Sequence, residues 1–292
     1  MKISLPIKTG VFLGKMLQYP VIQWRKFFGL PREVQVKRRT LHYHLDLHEG
    51  IDFSIFVTGK YEPKIQKAFA QITSPGDVVL DIGANIGAHA MVLGELVKDG
   101  GQVYAFEPTH WAYRKMLRNL SLNPGLKVKA LHAALTDEKG ALIPATVSSS
   151  WDLTRSLSEA NALDMGYAQS TEGCAQFSID QWVKTENIQK VNVIKLDVDG
   201  FETRVLRGAV ETLKKFHPII ICEWAPHHFV DPEEPFQEMI HILRNCGYEF
   251  FTLDGKKISE SAAEIESEIP FGVLRYVLAR PGAGPKNDLK CT

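Results

Sequence analysis

Acidic residues close a series of short apolar runs in this chain, and their positions set the chemistry within reach. Asp81 lies in Val78-Val79-Leu80-Asp81-Ile82, which runs into Gly83, Ala84, Asn85, Ile86 and Gly87. Glu107 and Pro108 follow Val103-Tyr104-Ala105-Phe106. Glycine at 83 and 87 lets backbone approach a ligand that a Cβ would hold off. The loop is neither G-x-G-x-x-G nor a phosphate loop ending in Gly-Lys-Ser/Thr, and an acid two residues before its first glycine disfavours a pyrophosphate. It suits a cation, such as the ammonium or sulfonium of S-adenosylmethionine; a plain tight strand-to-helix turn is the alternative. Glu107, at the tip of the next run, can accept both hydroxyls of a ribose or act as a carboxylate near a helix N-terminus. Asp137 can accept from an adenine amino group or occupy a solvated turn before Lys139-Gly140.

A second set of acids lies further on. Asp197 and Asp199 follow the run 191–196, and Glu223 ends the run 218–223 ahead of Trp224, Pro226, His227 and His228. Transfer of a methyl group to a hydroxyl needs in-line alignment and a base within hydrogen-bond reach. Asp197, Glu223, His227 and His228 are the candidates for that base. Asp197, Asp199 and Glu223 could instead share a divalent cation that polarises the hydroxyl. The bland alternatives are a surface loop for the two histidines and a helix cap for Asp197. Lys195, on the same run as Asp197, reads as a sheet residue pairing with a neighbouring acid.

The elements that must position these groups follow a regular rhythm. Residues 62–73 carry Ile65, Phe69 and Ile72 at helical spacing, with Pro63 in the first turn. Apolar runs at 78–82, 102–106, 128–135, 191–196 and 218–223 read as strands buried on both faces, with helices at 88–97, around Tyr113–Leu120 and at 202–216. Residues 248–253 and 273–278 form a closing pair. Alternation of this kind means βαβ units and a mainly parallel sheet, whose ligands bind beyond the strands' C-terminal ends at the switch point. The stretch 139–177, rich in Ser, Thr, Ala and Gly, reads as a functional loop or lid; its Trp151, Arg155 and Tyr167 could grip a sugar.

Five stretches, in order, resemble the FkbM-type methyltransferase family. They are Gly59-Lys60-Tyr61-Glu62-Pro63, Asp81-Ile82-Gly83-Ala84-Asn85-Ile86-Gly87, Ala105-Phe106-Glu107-Pro108, Ser178-Ile179-Asp180-Gln181-Trp182, and Ile194-Lys195-Leu196-Asp197-Val198-Asp199-Gly200-Phe201-Glu202. The resemblance spans roughly residues 50–255. It implies a class I, Rossmann-like three-layer α/β sandwich with a mostly parallel seven-stranded sheet and an antiparallel closing strand. It also implies S-adenosylmethionine-dependent O-methylation of a sugar, glycan or natural product. Asp81, Gly83, Asn85 and Gly87 would then line the methionine end, Glu107 the ribose and Asp137 the adenine, with Ala84, Pro108, Tyr61 and Glu62 also in the cofactor site. The common family form of the last motif is Asp-Val-Glu-Gly, so Asp199 is a shorter acid than that form carries.

Composition narrows the remaining choices. The 292 residues hold 34 Lys+Arg against 34 Asp+Glu, a formal net charge of zero that argues against a polyanion binder working through bulk charge. Asp197-Val198-Asp199-Gly200 is not the Asn/Asp-Pro-Pro-aromatic signature of base amino-methylation, and no cysteine follows a proline. Cys174, Cys222, Cys246 and Cys291 form no C-x-x-C pair, which fits reduced thiols and a cytoplasmic setting. Non-catalytic cofactor binding, nucleic-acid methylation and nicotinamide chemistry are the rival functions. The chain divides into an extension at 1–49, a catalytic domain at 50–282 and a tail at 283–292. Residues 1–30 mix aromatics with Lys15, Arg25 and Lys26, which fits either a segment lying on a membrane or a helical arm packed on its own domain or a partner subunit. Gly10 and Pro20 interrupt any long amphipathic face, which favours the packed arm, and a homo-oligomer is compatible with it.

Overall fold

The computed structural model describes residues 7–137, 143–156, 160, 166–229, 231 and 233–282. The tail at 283–292, with Cys291, and the Lys139-Gly140 turn lie outside them. The chain opens with α1 (Ile7–Phe27), a hairpin of β1 (Glu33–Arg38) and β2 (Leu41–Asp46), α2 (Gly50–Thr58) and α3 (Pro63–Ile72). The alternating part follows: β3 (Val78–Ile82), α4 (Ala88–Val97), β4 (Gln102–Glu107), α5 (His110–Ser121) and β5 (Val128–Leu135). The insertion contributes β6 (Thr146–Ser150), β7 (Tyr167–Ser170) and β8 (Ala175–Phe177). Then come α6 (Ile179–Thr185), β9 (Val193–Leu196), α7 (Glu202–Arg207), α8 (Val210–Phe216), β10 (Ile219–Trp224) and a 3-10 turn at Pro226–His228. The chain closes with α9 (Phe236–Asn245), β11 (Tyr248–Thr252), β12 (Lys257–Ile258), α10 (Ala262–Glu268) and β13 (Arg275–Pro281).

The main sheet has the order β12-β11-β13-β10-β9-β3-β4-β5-β8. Its centre is the expected seven-stranded arrangement, with β13 antiparallel between β10 and β11, and β8 and β12 lengthen its two edges. Successive side chains of a strand face opposite ways, and each face has its own core. Val79, Val103, Val193 and Ile221 pack with Ile65, Phe69, Leu93 and Val97 of α3 and α4. Leu80, Phe106, Ile194 and Ile220 pack with Trp182, Leu206, Leu213 and Ile240 of α6–α9. The path runs outward from β3 through β4 to β5, then returns to β9 on the other side of β3, so the switch point lies between β3 and β9.

Residues 34–48 form a hairpin turning at Arg39 with φ 57°. Two segments differ from expectation. The helix at 202–216 is two, α7 and α8, broken at Gly208, where a Cβ would sit 2.2 Å from the Thr136 carbonyl oxygen. Most important, α1 runs unbroken through Pro20. Proline removes one backbone donor and crowds the carbonyl four residues back, but Pro20 lies on the exposed side of α1, where water can take up the freed carbonyl.

The hairpin is fastened to the body by α5. Asn119 is fully buried, accepts from the His44 backbone N–H at 2.8 Å and donates to the Ile86 carbonyl at 3.1 Å. Asn123, one turn on and less buried, accepts from the His42 N–H and donates to the His42 carbonyl. Around them Leu41, Tyr43, Leu45 and Leu47 pack on Ile86, Ala88 and Met91. Loss of the Asn119 amide strands two buried backbone groups. Asn119→Ala should therefore destabilise the fold by about 3 kcal/mol in urea titration, against about 1 kcal/mol for Asn123→Ala. Equal losses would show that burial does not set the difference.

Candidate functional site

Behind the switch point the Gly83–Gly87 loop leaves β3 and opens α4. Gly83 and Ala84 both donate to the Phe106 carbonyl, at 3.1 and 2.9 Å. Gly83 has φ 79°, and a Cβ there would lie 1.8 Å from the Asp197 carbonyl oxygen. No side chain fits where the β3 and β9 loops cross, which is the close approach that the sequence required of this glycine. Asn85 adopts φ 48°; its N–H donates to Glu107 Oε2 at 2.9 Å and its side-chain amide to the Ser149 carbonyl at 3.0 Å.

Lys195 joins the two sides of the crossing. Its ammonium is buried, donates to the Gly83 carbonyl at 2.8 Å, and stands 3.5 Å from Asp81 Oδ1 and 3.3 Å from Asp197 Oδ2. Burial alone would pull its pKa down, but Asp197, Asp81 and Glu62 together hold it above the usual lysine value. The charge arrangement continues outward. The Tyr276 hydroxyl donates to Asp197 at 2.9 Å and lies 3.4 Å from Glu62, whose carboxylate is 2.8 Å from His89 Nε2. Burial, then Asp197, Glu62 and Glu223, push the Tyr276 phenol well up, so it stays a donor. Glu62, like Asn85 and Asp199, is a non-glycine residue at positive φ; backbone of that kind clusters at functional sites.

A cavity of about 680 Å³ opens onto this network, within the size range of small-molecule sites. In strand order Glu107 and Pro108 lie at one end, Glu223 with Asp199 and His228 at the other, and Gly83, Ala84, Asn85 and Asp197 between them, with Tyr61 and Glu62 also on the wall. Glu107 is buried and anchored: Oε1 accepts the Thr109 N–H and hydroxyl, Oε2 the Asn85 N–H. Each carboxylate oxygen has two lone pairs, so Oε2 keeps one for a ligand hydroxyl. Burial raises its pKa against those donors. The insertion closes over this end, with Ser149 Oγ 2.9 Å from Thr109 Oγ1.

At the opposite end Glu202 shapes the β9 loop by accepting the N–H groups of Val198 and Gly200, at 2.9 and 3.0 Å. Burial pushes its carboxyl up to about 7. Asp199 sits in that loop with φ 52°. Glu223 is buried among Asp197, Asp199, Glu202 and Glu62, and burial followed by these charges pushes its carboxyl well above the ordinary value. His228 Nδ1 lies 3.8 Å from Glu223 and 3.7 Å from Asp199. These three offer ligand atoms all within 4.8 Å of one another, which fits one divalent cation with oxygen and imidazole donors. Among the described residues no other such group occurs. The expected trio held Asp197 in place of His228; Asp197 is engaged by Tyr276 and Lys195 instead.

Several expected residues stand off the wall. Asp81 is fully buried and reaches the cavity only through Lys195, because strand alternation turns it to the face of Val79. Gly87 is the N-cap of α4, at φ 82° against Met116. Asp137 is buried, and its neighbour Thr136 lines the cavity in its place. His227 turns away to Phe271, with ring centroids 5.2 Å apart, and burial beside His228 brings its pKa down to about 4. Trp151 does line the cavity, while Arg155 stacks over Tyr167 at 4.3 Å. Tyr276, His89 and Ser149 were not anticipated. Tyr276 pairs across the sheet with Glu223, a neighbourhood fixed only by strand order.

Comparison with known proteins agrees with this geometry. Residues 81–250 match the family described as the methyltransferase FkbM domain. The hexuronic acid methyltransferase AglP of Haloferax volcanii is 30% identical over 161 residues, 54% of this chain and 59% of that protein. The 2-O-methyltransferase NoeI of Sinorhizobium fredii is 26% identical, over 68% of this chain and 88% of that one. The 31-O-demethyl-FK506 methyltransferase FkbM of Streptomyces tacrolimicus is 29% identical, over 60% and 73%. The alignment to AglP thus leaves a large part of AglP unmatched. With its motif loop, its acid at 107 and its matching stretch covering more than half of its length, the chain belongs to the FkbM methyltransferase family.

Proposed function

We propose that the protein transfers the methyl group of S-adenosylmethionine to a hydroxyl of a sugar, glycan or natural product. The observation that carries this reading is one cavity with an anchored carboxylate at one end and a carboxylate–histidine cluster at the other, on either side of the switch point. Bound there, S-adenosylmethionine supplies an electrophilic methyl on a positively charged sulfur. Glu107 takes a ribose hydroxyl with its remaining lone pair, and the loop at 83–85 follows the methionine portion at backbone distance. Glu62 and Asp197 present negative charge toward the ammonium and sulfonium, with Tyr276 fixing both side chains. Lys195 offsets the negative charge of both Asp81 and Asp197.

On the acceptor side His228 takes the hydroxyl proton at Nδ1, and the Asp199 carboxylate 3.7 Å from that nitrogen stabilises the imidazolium that forms. Glu223, held neutral by burial and by its charged neighbours, donates to the acceptor or to the carboxylate beside it. His227 has no part in this step, since its ring faces Phe271. A second reading rests on the ligand spacing of Asp199, Glu223 and His228: a divalent cation held there would polarise the hydroxyl. Turnover that survives a chelator supports the histidine base, whereas loss restored by Mg²⁺ or Mn²⁺ supports the cation. Saturable cofactor binding with no methyl transfer to any hydroxyl acceptor would leave a non-catalytic binding protein.

Calorimetric titration with S-adenosylhomocysteine should show saturable binding that Glu107→Ala weakens about 30-fold, the equivalent of about 2 kcal/mol for hydrogen bonds to a charged group. Wild-type affinity in that variant would remove Glu107 from the cofactor. With an acceptor in hand, His228→Gln should lower kcat about 100-fold, as expected for loss of a general base. Glu223 acts in its neutral form, which is present below its raised pKa and lost as pH rises through it. Wild-type turnover should therefore fall as pH rises through that pKa, and Glu223→Gln, which cannot ionise, should abolish that fall. An unchanged alkaline limb would contradict the role given to Glu223.

A further inference from the structure

The face of α1 opposite its docking side is apolar and uncovered. The helix is held to the body along one narrow stripe. Gln18 is buried and donates to the Leu47 carbonyl at 2.7 Å, Ile22 packs against the hairpin core, and Gly14 meets Leu153. At 3.6 residues per turn, Phe12, Met16, Leu17, Trp24 and Phe27 fall on the other side. Phe12, Met16 and Leu17 are about 60% exposed and Phe27 is 83% exposed. Phe28 continues the surface, in ring contact with Trp24 and Phe27. Water-exposed aromatics on this scale mark an interaction surface.

The charge around this face says what covers it. Residues 1–32 contain six Lys or Arg and no Asp or Glu, in a chain whose formal net charge is zero. Lys15 and Arg25, on the flank and the docking side of α1, donate to the carbonyls of Arg155 and Pro31, and Lys26 is exposed. We infer that α1 is an in-plane anchor that seats the protein on an anionic lipid surface, with its aromatic face in the headgroup boundary and its cations against lipid charge. A second copy of the chain is the poorer occupant, because a two-fold contact would bring the same basic segment against itself. The anchor lies on the membrane and does not cross it: no helix among the described residues is long and apolar enough to span.

Seating of α1 on lipid does not depend on methyl transfer, but it bears on the site. The stretch after β6 that meets α1 through Leu153 and Arg155 also carries Trp151, which lines the cavity. A lipid surface under α1 is thereby connected, through one short loop, to the wall of the site.

The test is sedimentation of the full-length chain with phosphatidylcholine vesicles, with and without phosphatidylglycerol, at low and high salt. Partition should be about tenfold or more stronger on the anionic vesicles and should weaken with salt. The combined exposed-face variant Phe12→Ser, Leu17→Ser, Trp24→Ser, Phe27→Ser should lose it while keeping the wild-type circular dichroism spectrum, and Lys26→Glu should weaken it. Absence of binding to anionic vesicles at low salt would overturn the inference. So would light scattering that shows a dimer in the wild type and a monomer in the four-residue variant, since that result assigns the face to a second copy.

Discussion

Lys195 is the charge on which the site depends. It lies on β9 in register with Asp81 of β3, and its ammonium stands at the switch point 3.5 Å from Asp81 and 3.3 Å from Asp197. The ammonium offsets the negative charge of both carboxylates, and its third contact, to the Gly83 carbonyl, ties this charge balance to the glycine loop. Breaking a buried pair by removing one partner strands the other charge, which makes Lys195 a structural requirement of an acidic crevice.

From this centre the site extends by hydrogen bonds that use up side-chain capacity on one side and leave it on the other. Asp197 takes Lys195 and Tyr276, and Glu62 takes His89 and Tyr276. Glu107 takes Thr109 and Asn85, and Glu202 takes two loop N–H groups. Asp199, Glu223 and His228 form a separate group at the far end of the cavity. The division matches the two tasks of a group-transfer site: a rigid end for the donor and a titratable end for the acceptor. Ser149, brought by the insertion onto Asn85 and Glu107, places that insertion over the donor end as well.

Much of this was legible in the residues, for identifiable reasons. Buried parallel strands are continuous apolar runs, so β3, β4, β9 and β10 announced themselves, and the acids behind them had to fall at one sheet edge. Gly83 was readable because a motif glycine implies a close approach, and the Asp197 carbonyl supplies it. What escaped depends on packing. His227 and His228 are adjacent in a 3-10 turn, and nothing in their order says which faces the cavity. Tyr276 reaches the site only because β13 returns antiparallel beside β10. Asp81 sits behind the wall because period-two alternation gives it the face of Val79, a consequence readable from the strand itself. Pro20 was a misleading signal, since a helix lying on a surface can solvate a freed carbonyl on its open side.

The most direct measurement of the central claim is a crystal structure of the complex with S-adenosylhomocysteine. The expected result has the ribose hydroxyls on Glu107, the homocysteine against the loop at 83–85 beside Glu62 and Asp197, and the sulfur facing the cluster of Asp199, Glu223 and His228. A nucleoside bound away from Glu107, or a sulfur turned from that cluster, would contradict the assignment of the two ends of the cavity.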